Sequence, residues 1–138
     1  MDKLVVSDLM TSLVFAVQPD DTVARLVDLM HEHQVRHVPV VDEDGDLIGL
    51  VSHRDLLRNA LIEQTDEIQV DNEELLERLQ VRDLMLAEVE QVTPETDIRE
   101  AAQIMLENKY GCLPVVEGDR LVGILTESDF VRLMAEGN

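Results

Sequence analysis

The sequence predicts an α+β fold made of two copies of one βαββα unit packed sheet to sheet, and three observations carry that reading. First, Val6-Ser7-Asp8-Leu9-Met10 returns 75 residues later as Val81-Arg82-Asp83-Leu84-Met85. The same offset joins Val14 to Val89, Val17 to Val92, Pro19 to Pro94, Met30 to Met105 and Pro39-Val40-Val41 to Pro114-Val115-Val116. Second, one residue is lost inside a Gly/Asp turn, Asp42-Glu43-Asp44-Gly45-Asp46 against Glu117-Gly118-Asp119-Arg120. Gly49 then matches Gly123 and Asp55 matches Asp129 at an offset of 74. A deletion confined to a turn is what a duplicated unit tolerates. Third, within each copy the apolar period switches from strand-like runs to helical spacing and back.

The elements follow in order. Val14 to Val17 is a short β-prone run stopped by Pro19-Asp20-Asp21-Thr22, a turn and helix start. Val23, Leu26, Val27, Leu29 and Met30 then keep a helical period, copied by Ile98, Ala101, Ala102, Ile104 and Met105. These Met positions, with Met10 and Met85, read as core fillers. Val38-Pro39-Val40-Val41 is a strand whose Pro suits its first residue or an edge. The acidic Gly turn closes a hairpin onto Leu47-Ile48-Gly49-Leu50-Val51, matched by Leu121-Val122-Gly123-Ile124-Leu125. A second helix starts at Ser52 or Thr126. One three-stranded unit leaves an apolar sheet face uncovered, so two units are expected to pack face to face. The repeats are placed at residues 4–62 and 81–134. The connector, 63–80, carries Glu63, Asp66, Glu67, Asp71, Glu73, Glu74 and Glu77 against Arg78 alone. Asp71 or Asn72 is placed to cap a short helix there presenting Leu75, Leu76 and Leu79. It reads as a solvated, partly helical segment.

Composition narrows function. Among 138 residues, 11 Lys and Arg face 30 Asp and Glu, a net charge of −19. Such a surface repels phosphate backbones, and no basic stripe with interleaved aromatics appears, so nucleic acid is not an expected partner. Any nucleotide needs locally placed Arg or His, or a divalent cation. No apolar run approaches the roughly 18–20 residues of a membrane span, nor is there an apolar N-terminal signal segment, so a cytoplasmic location is the expectation. Trp is absent and only one Tyr and two Phe occur, so the core is aliphatic. Cys112, the sole cysteine, excludes an intramolecular disulfide framework and reads as a buried small side chain. No nucleophile elbow, Walker loop or GxGxxG is present, so catalysis is not expected.

Two copies of Asp-Leu-Met … Pro … Met … Pro-Val-Val … Gly-hydrophobic-hydrophobic-[Ser/Thr]-x-x-Asp resemble the two repeats of a cystathionine β-synthase (CBS) domain pair, or Bateman module. The resemblance spans about Leu4 to Leu133. It implies two βαββα units about a pseudo-two-fold axis and a disc-like homodimer. It also implies clefts between the repeats that bind an adenosyl ligand: AMP, ADP or ATP, with or without Mg, or S-adenosylmethionine. The module implied is a stand-alone regulator whose occupancy is read by a partner protein; the alternative is a structural dimerisation or interaction module with clefts that bind nothing.

The ligand residues implied are Ser52 with Asp55 and Thr126 with Asp129, hydroxyls for phosphate and carboxylates for ribose. The same Ser/Thr-x-x-Asp spacing is close to a helix capping box, and both roles are open. His53 and Arg54 are two potential cations beside Ser52, whereas Glu127 adds negative charge beside Thr126. The Ser52/Asp55 cleft is therefore expected to take the more anionic ligand. The base is implied to lie between the first strand, at Val14 and Phe15, and the residues before and within Pro-Val-Val. Those are Arg36, His37, Val38 and Pro39 in one copy and Gly111, Cys112, Leu113 and Pro114 in the other. Thr11 follows the first Asp-Leu-Met and Leu86 the second, so only one copy offers a hydroxyl there. His33 and His37 stand at ligand spacing for a helix, but the helix is expected to end near Gln34 and no third ligand is placed, so His31, His33, His37 and His53 read as solvated or phosphate-facing rather than metal ligands.

Overall fold

Segments from one repeat complete the fold of the other. The computed structural model describes residues 3–12, 15–56, 58 and 72–136. It forms two compact units, one of Phe15–Val89 and one of Met1–Val14 with Glu90–Asn138. Each therefore combines most of one repeat with the Asp-Leu-Met segment of the other.

In the Phe15–Val89 unit, Thr22 caps helix α2 (Val23–His33) by accepting the Arg25 N–H at 3.2 Å. Gln34 ends the helix in the left-handed region, at φ 55°. Strands β1 (His37–Val41) and β2 (Leu47–Ser52) pair antiparallel, His37 opposite Ser52 and Val40 opposite Gly49. Helix α3 begins at His53, with residues 53–56 helical. Helix α4 (Asn72–Arg78) lies in the connector, and a 3₁₀ turn, Val81–Asp83, follows. Asp71, nominated as a cap, lies outside the described residues.

The other unit repeats the plan. It holds α1 (Val6–Leu9), then α5 (Ile98–Asn108) capped by Asp97, which accepts the Arg99 N–H at 2.7 Å. Strands β3 (Cys112–Glu117) and β4 (Arg120–Thr126) pair antiparallel, and α6 (Glu127–Glu136) follows. The hairpin turns use Gly45 at φ 89° and Gly118 at φ 65°, backbone that glycine adopts without a Cβ penalty.

The expected third strand is reduced to a single bridge. Val17 pairs in parallel with Val40, its N–H reaching Pro39 O at 3.1 Å while Val41 N–H reaches Val17 O at 2.9 Å. Val92 does the same between Pro114 and Val116. The next rung of that ladder needs an N–H from residue 39 or 114, and proline has none. Both prolines thus sit in the middle of their strands, nitrogen toward the edge they shorten.

The Asp-Leu-Met segments are exchanged symmetrically. Val6 N–H bonds Thr96 O at 2.8 Å and Ser7 N–H bonds Pro94 O at 2.9 Å; in the other unit Val81 N–H bonds Asp21 O at 2.9 Å and Arg82 N–H bonds Pro19 O at 3.0 Å. The motif aspartates shape these turns, Asp8 accepting the Val5 N–H and Asp83 the Gln80 N–H. Val6 joins a core of Val92, Ala101, Met105, Leu113, Val115 and Leu125, and Val81 one of Val17, Leu26, Met30, Val38, Val40 and Val51. Met30 and Met105 are buried core residues, and Met10 and Met85 pack against the cores, as the period of the sequence implies. The segment ends then add a bridge on the far side of each hairpin, Thr11 with Ile124 and Leu86 with Leu50.

Gly49 and Gly123 permit that approach. A Cβ on Gly123 would lie 2.6 Å from Met10 Sδ and 3.1 Å from Thr11 O; on Gly49 it would lie 3.0 Å from Met85 Sδ and Leu86 O. Among the described residues no helix is long and apolar enough to cross a membrane. Gly123→Ala is expected to lower the unfolding free energy by about 1–3 kcal/mol through overpacking, read as a lower urea midpoint at unchanged slope.

Candidate functional site

Antiparallel pairing brings the start of one strand beside the end of its partner, and the sequence-nominated residues gather there. In the Phe15–Val89 unit His37 stands opposite Ser52, and His53 N–H bonds Arg36 O at 2.8 Å. In the other, Cys112 stands opposite Thr126, and Glu127 N–H bonds Gly111 O at 3.2 Å. Each hairpin end thus carries a helix N-terminus, a hydroxyl and a carboxylate.

The Ser52–Asp55 pair is a closed capping box. Asp55 Oδ2 accepts the Ser52 N–H at 3.1 Å and its hydroxyl at 2.9 Å, while Ser52 Oγ accepts the Asp55 N–H at 3.2 Å. The Thr126 end is built differently. Asp129 Oδ2 accepts the Thr126 N–H at 2.8 Å and its hydroxyl at 3.2 Å, and Thr126 Oγ1 lies 2.9 Å from Ser128 Oγ. Asp129 Oδ1 accepts from Arg132 Nη1 at 3.1 Å, so this buried carboxylate is an ion pair. Capping of this kind stabilises a helix by about 1 kcal/mol. At the Ser52 end both halves of the box are closed; at the Thr126 end the carboxylate half is in place, Asp129 accepting the Thr126 N–H.

Other nominated residues divide by exposure. His53, Arg54 and Arg36 are exposed; His37 and Gly111 are half-buried. Val38, Pro39, Cys112, Leu113 and Pro114 are buried, so their side chains shape the hairpin end from within and leave backbone to a ligand. Phe15 stacks on His33, ring centroids 3.6 Å apart and planes 16° off parallel, at the end of α2. Val14 lies outside the described residues. Among the described residues no group of three or more His, Cys, Asp or Glu side chains is placed to hold a metal ion.

Two features escaped the sequence reading. Thr11 belongs with Thr126 and Asp129, and Leu86 with Ser52 and Asp55, because of the segment exchange. Arg132 holds Asp129, and its signal was present: Asp-x-x-Arg occurs in both repeats, as Asp55 with Arg58 and Asp129 with Arg132. An open groove of about 760 Å³ lies along α2, lined by Thr22, Arg25, Asp28, Glu32, His33 and Glu77 among others; none of the nominated ligand residues lines it.

Paired α+β repeats, each presenting a hydroxyl and a carboxylate at a helix start beside a hairpin end, define a tandem-repeat module. The chain belongs to the CBS domain family: the model of that family, described as CBS domain, matches residues 6–61 and 81–136. It is 37% identical over 134 residues to the chloroplastic CBS domain-containing protein CBSX1 of Arabidopsis thaliana, covering 84% of this chain and 57% of that one. A Vibrio cholerae protein named for acetoin utilization (AcuB) is similar in structure, with a TM-score of 0.80, 34% identity and 99% of each chain covered. So is CBSX2 in complex with AMP, at TM-score 0.80 and 32% identity, covering 96% of this chain and 97% of that one. The chain spans 23% to 57% of the length of three of its curated relatives.

Burial, with Glu127 adding to it, pushes the Cys112 thiol up from 9.0 to about 12. The folded state therefore holds that proton through a pH range where an unfolded thiol has lost it. Stability is expected to be full below pH 9 with respect to this group and to fall as pH rises toward 12. Cys112→Ala removes that contribution to the slope. Native protein at pH 8 is expected to resist thiol alkylation that urea-unfolded protein undergoes at once, measured by mass spectrometry.

Proposed function

We propose that the chain is a regulatory, non-catalytic module that binds an adenosyl ligand, AMP, ADP or ATP above all, and passes its occupancy to a partner protein. The observation that carries the reading is the paired hairpin end, where Ser52 with Asp55 and Thr126 with Asp129 stand at helix starts. A helix start welcomes phosphate, and a carboxylate accepts ribose hydroxyls. A relative of 32% identity whose structure holds AMP supports the ligand class. S-adenosylmethionine is the further member of that class, and Mg offsets phosphate charge on so acidic a chain. The repeats at 4–62 and 81–134, joined by the connector 63–80, work as a homodimer whose arrangement differs with ligand, the differential affinity being what a partner reads.

The two ends do not take ligand equally. His53 and Arg54 beside Ser52 favour an anion, whereas Glu127 beside Thr126 opposes one; a close surface pair is worth about 1–4 kcal/mol. The more phosphorylated nucleotide goes to the Ser52/Asp55 end. Phe15, Arg36, His37, Val38 and Pro39, with Val14, and Gly111, Cys112, Leu113 and Pro114 opposite them in the repeat, form the base-side surroundings. Thr11 supplies a hydroxyl to the Thr126 end alone.

A second reading is a structural interaction module whose clefts bind nothing. It is favoured by the use both carboxylates already have in capping their own helices. Calorimetric titration of AMP and ATP, with and without Mg, into wild type, Asp55→Asn and Asp129→Asn separates the readings. Asn retains a carbonyl to cap the helix. Asp55→Asn is expected to weaken AMP about tenfold or more, and Asp129→Asn to weaken it far less. Equal losses overturn the asymmetry; absence of any binding leaves the second reading. Ligand at 100 times its Kd adds about 2.7 kcal/mol of stability, so a thermal shift provides the cross-check.

A further inference from the structure

We infer that Arg132 is a built-in competitor for the carboxylate edge on which the Thr126/Asp129 end receives a ribose, an inference that rests on the ligand reading above. An ionised carboxylate offers about four acceptor positions. Asp129 uses two on Oδ2, for the Thr126 N–H and hydroxyl, and a third on Oδ1, for Arg132 Nη1. A ribose diol donates two hydrogen bonds, and a carboxylate filled to this degree has one acceptor left. One existing donor must therefore leave.

The donors differ in how easily they leave. The Thr126 N–H belongs to the last residue of β4, fixed by strand pairing with Cys112. Its hydroxyl sits on the same residue. Arg132 is a long side chain that is 59% exposed while the carboxylate it holds is 4% exposed, so its guanidinium can turn to water. The Arg132 contact stands where a ligand contact would, and seating the diol exchanges one for the other. The exchange costs what an ion pair with one solvated partner is worth, which lowers the affinity of this end for any nucleoside. Arg132 thus acts through Asp129 as a positioning residue that sets the concentration at which this end fills.

The test uses the full chain carrying Asp55→Asn, which leaves the other end as the site read, and adenosine as the probe. Adenosine has no phosphate, so loss of the arginine charge does not itself repel or attract it. Arg132→Met, which keeps the chain length, is expected to tighten adenosine about three- to fivefold by calorimetry. Arg132→Lys, which restores a cation on a similar stem, is expected to stay within about twofold of the parent. Adding Asp129→Asn is expected to abolish binding in both. If Arg132→Met binds adenosine equally or more weakly while Asp129→Asn still abolishes binding, the competitor role is overturned and the ribose reading stands. If adenosine binds none of these proteins, or binds them regardless of Asp129→Asn, the ribose reading falls and takes the inference with it.

Discussion

Val6 and Val81 have no solvent exposure, and each is buried in a core otherwise built by the opposite repeat. Everything else in the fold depends on that exchange. Burying a valine side chain is worth on the order of 2 kcal/mol, and each segment adds backbone hydrogen bonds to the Pro94–Thr96 or Pro19–Asp21 turn. A repeat deprived of its visitor would expose the floor of its core and lose the bridge along β2 or β4. Duplication is therefore a condition of closure, which accounts for the Asp-Leu-Met motif occurring in both repeats. The glycines follow from the same constraint: Gly49 and Gly123 have no side chain because the visiting methionine and backbone occupy that place.

The repeat order, the helix start at Thr22, the hairpins and the Met core positions were legible in sequence because each is a local pattern: a period, a cap or a turn. The partnering of the Asp-Leu-Met segments was not. In a duplicated chain Met10 matches the Gly49 environment as well as that of Gly123, so the pattern is satisfied by either pairing and only the path of the chain decides. The shortened third strand was hidden for a related reason. Val14 to Val17 has strand propensity, but the limit on its pairing lies in a proline more than twenty residues away. The proline itself was correctly tied to an edge; that it removes the next rung of a parallel ladder appears only once Val17 is seen beside it.

At the hairpin ends, the spacing Ser/Thr-x-x-Asp was ambiguous in sequence because capping and ribose binding ask for the same residue types. The geometry shows the capping half of that pair in place and adds a participant, Arg132, one helical turn beyond the motif's aspartate. A carboxylate that caps a helix is oriented before any ligand arrives, and its side-chain entropy is already spent. The cost lies on the other side of the same fact, since an acceptor in use must be released or shared. Asp129 is buried and paired with Arg132. Asp55, half-buried and flanked by His53 and Arg54, lies in the more favourable field for an anion. The two ends thus differ in burial and in flanking charge without differing in fold.

That difference is superimposed on a chain of net charge −19. Long-range repulsion opposes every anionic ligand alike, so it lowers affinity at both ends without distinguishing them. Discrimination must come from charges within a few ångströms, where screening by salt is weakest. His53 and Arg54 follow Ser52 where Glu127 and Ser128 follow Thr126, so the charge next to the two hydroxyls differs between the repeats. The fold supplies two equivalent helix starts, and the charges flanking them give each a different local field.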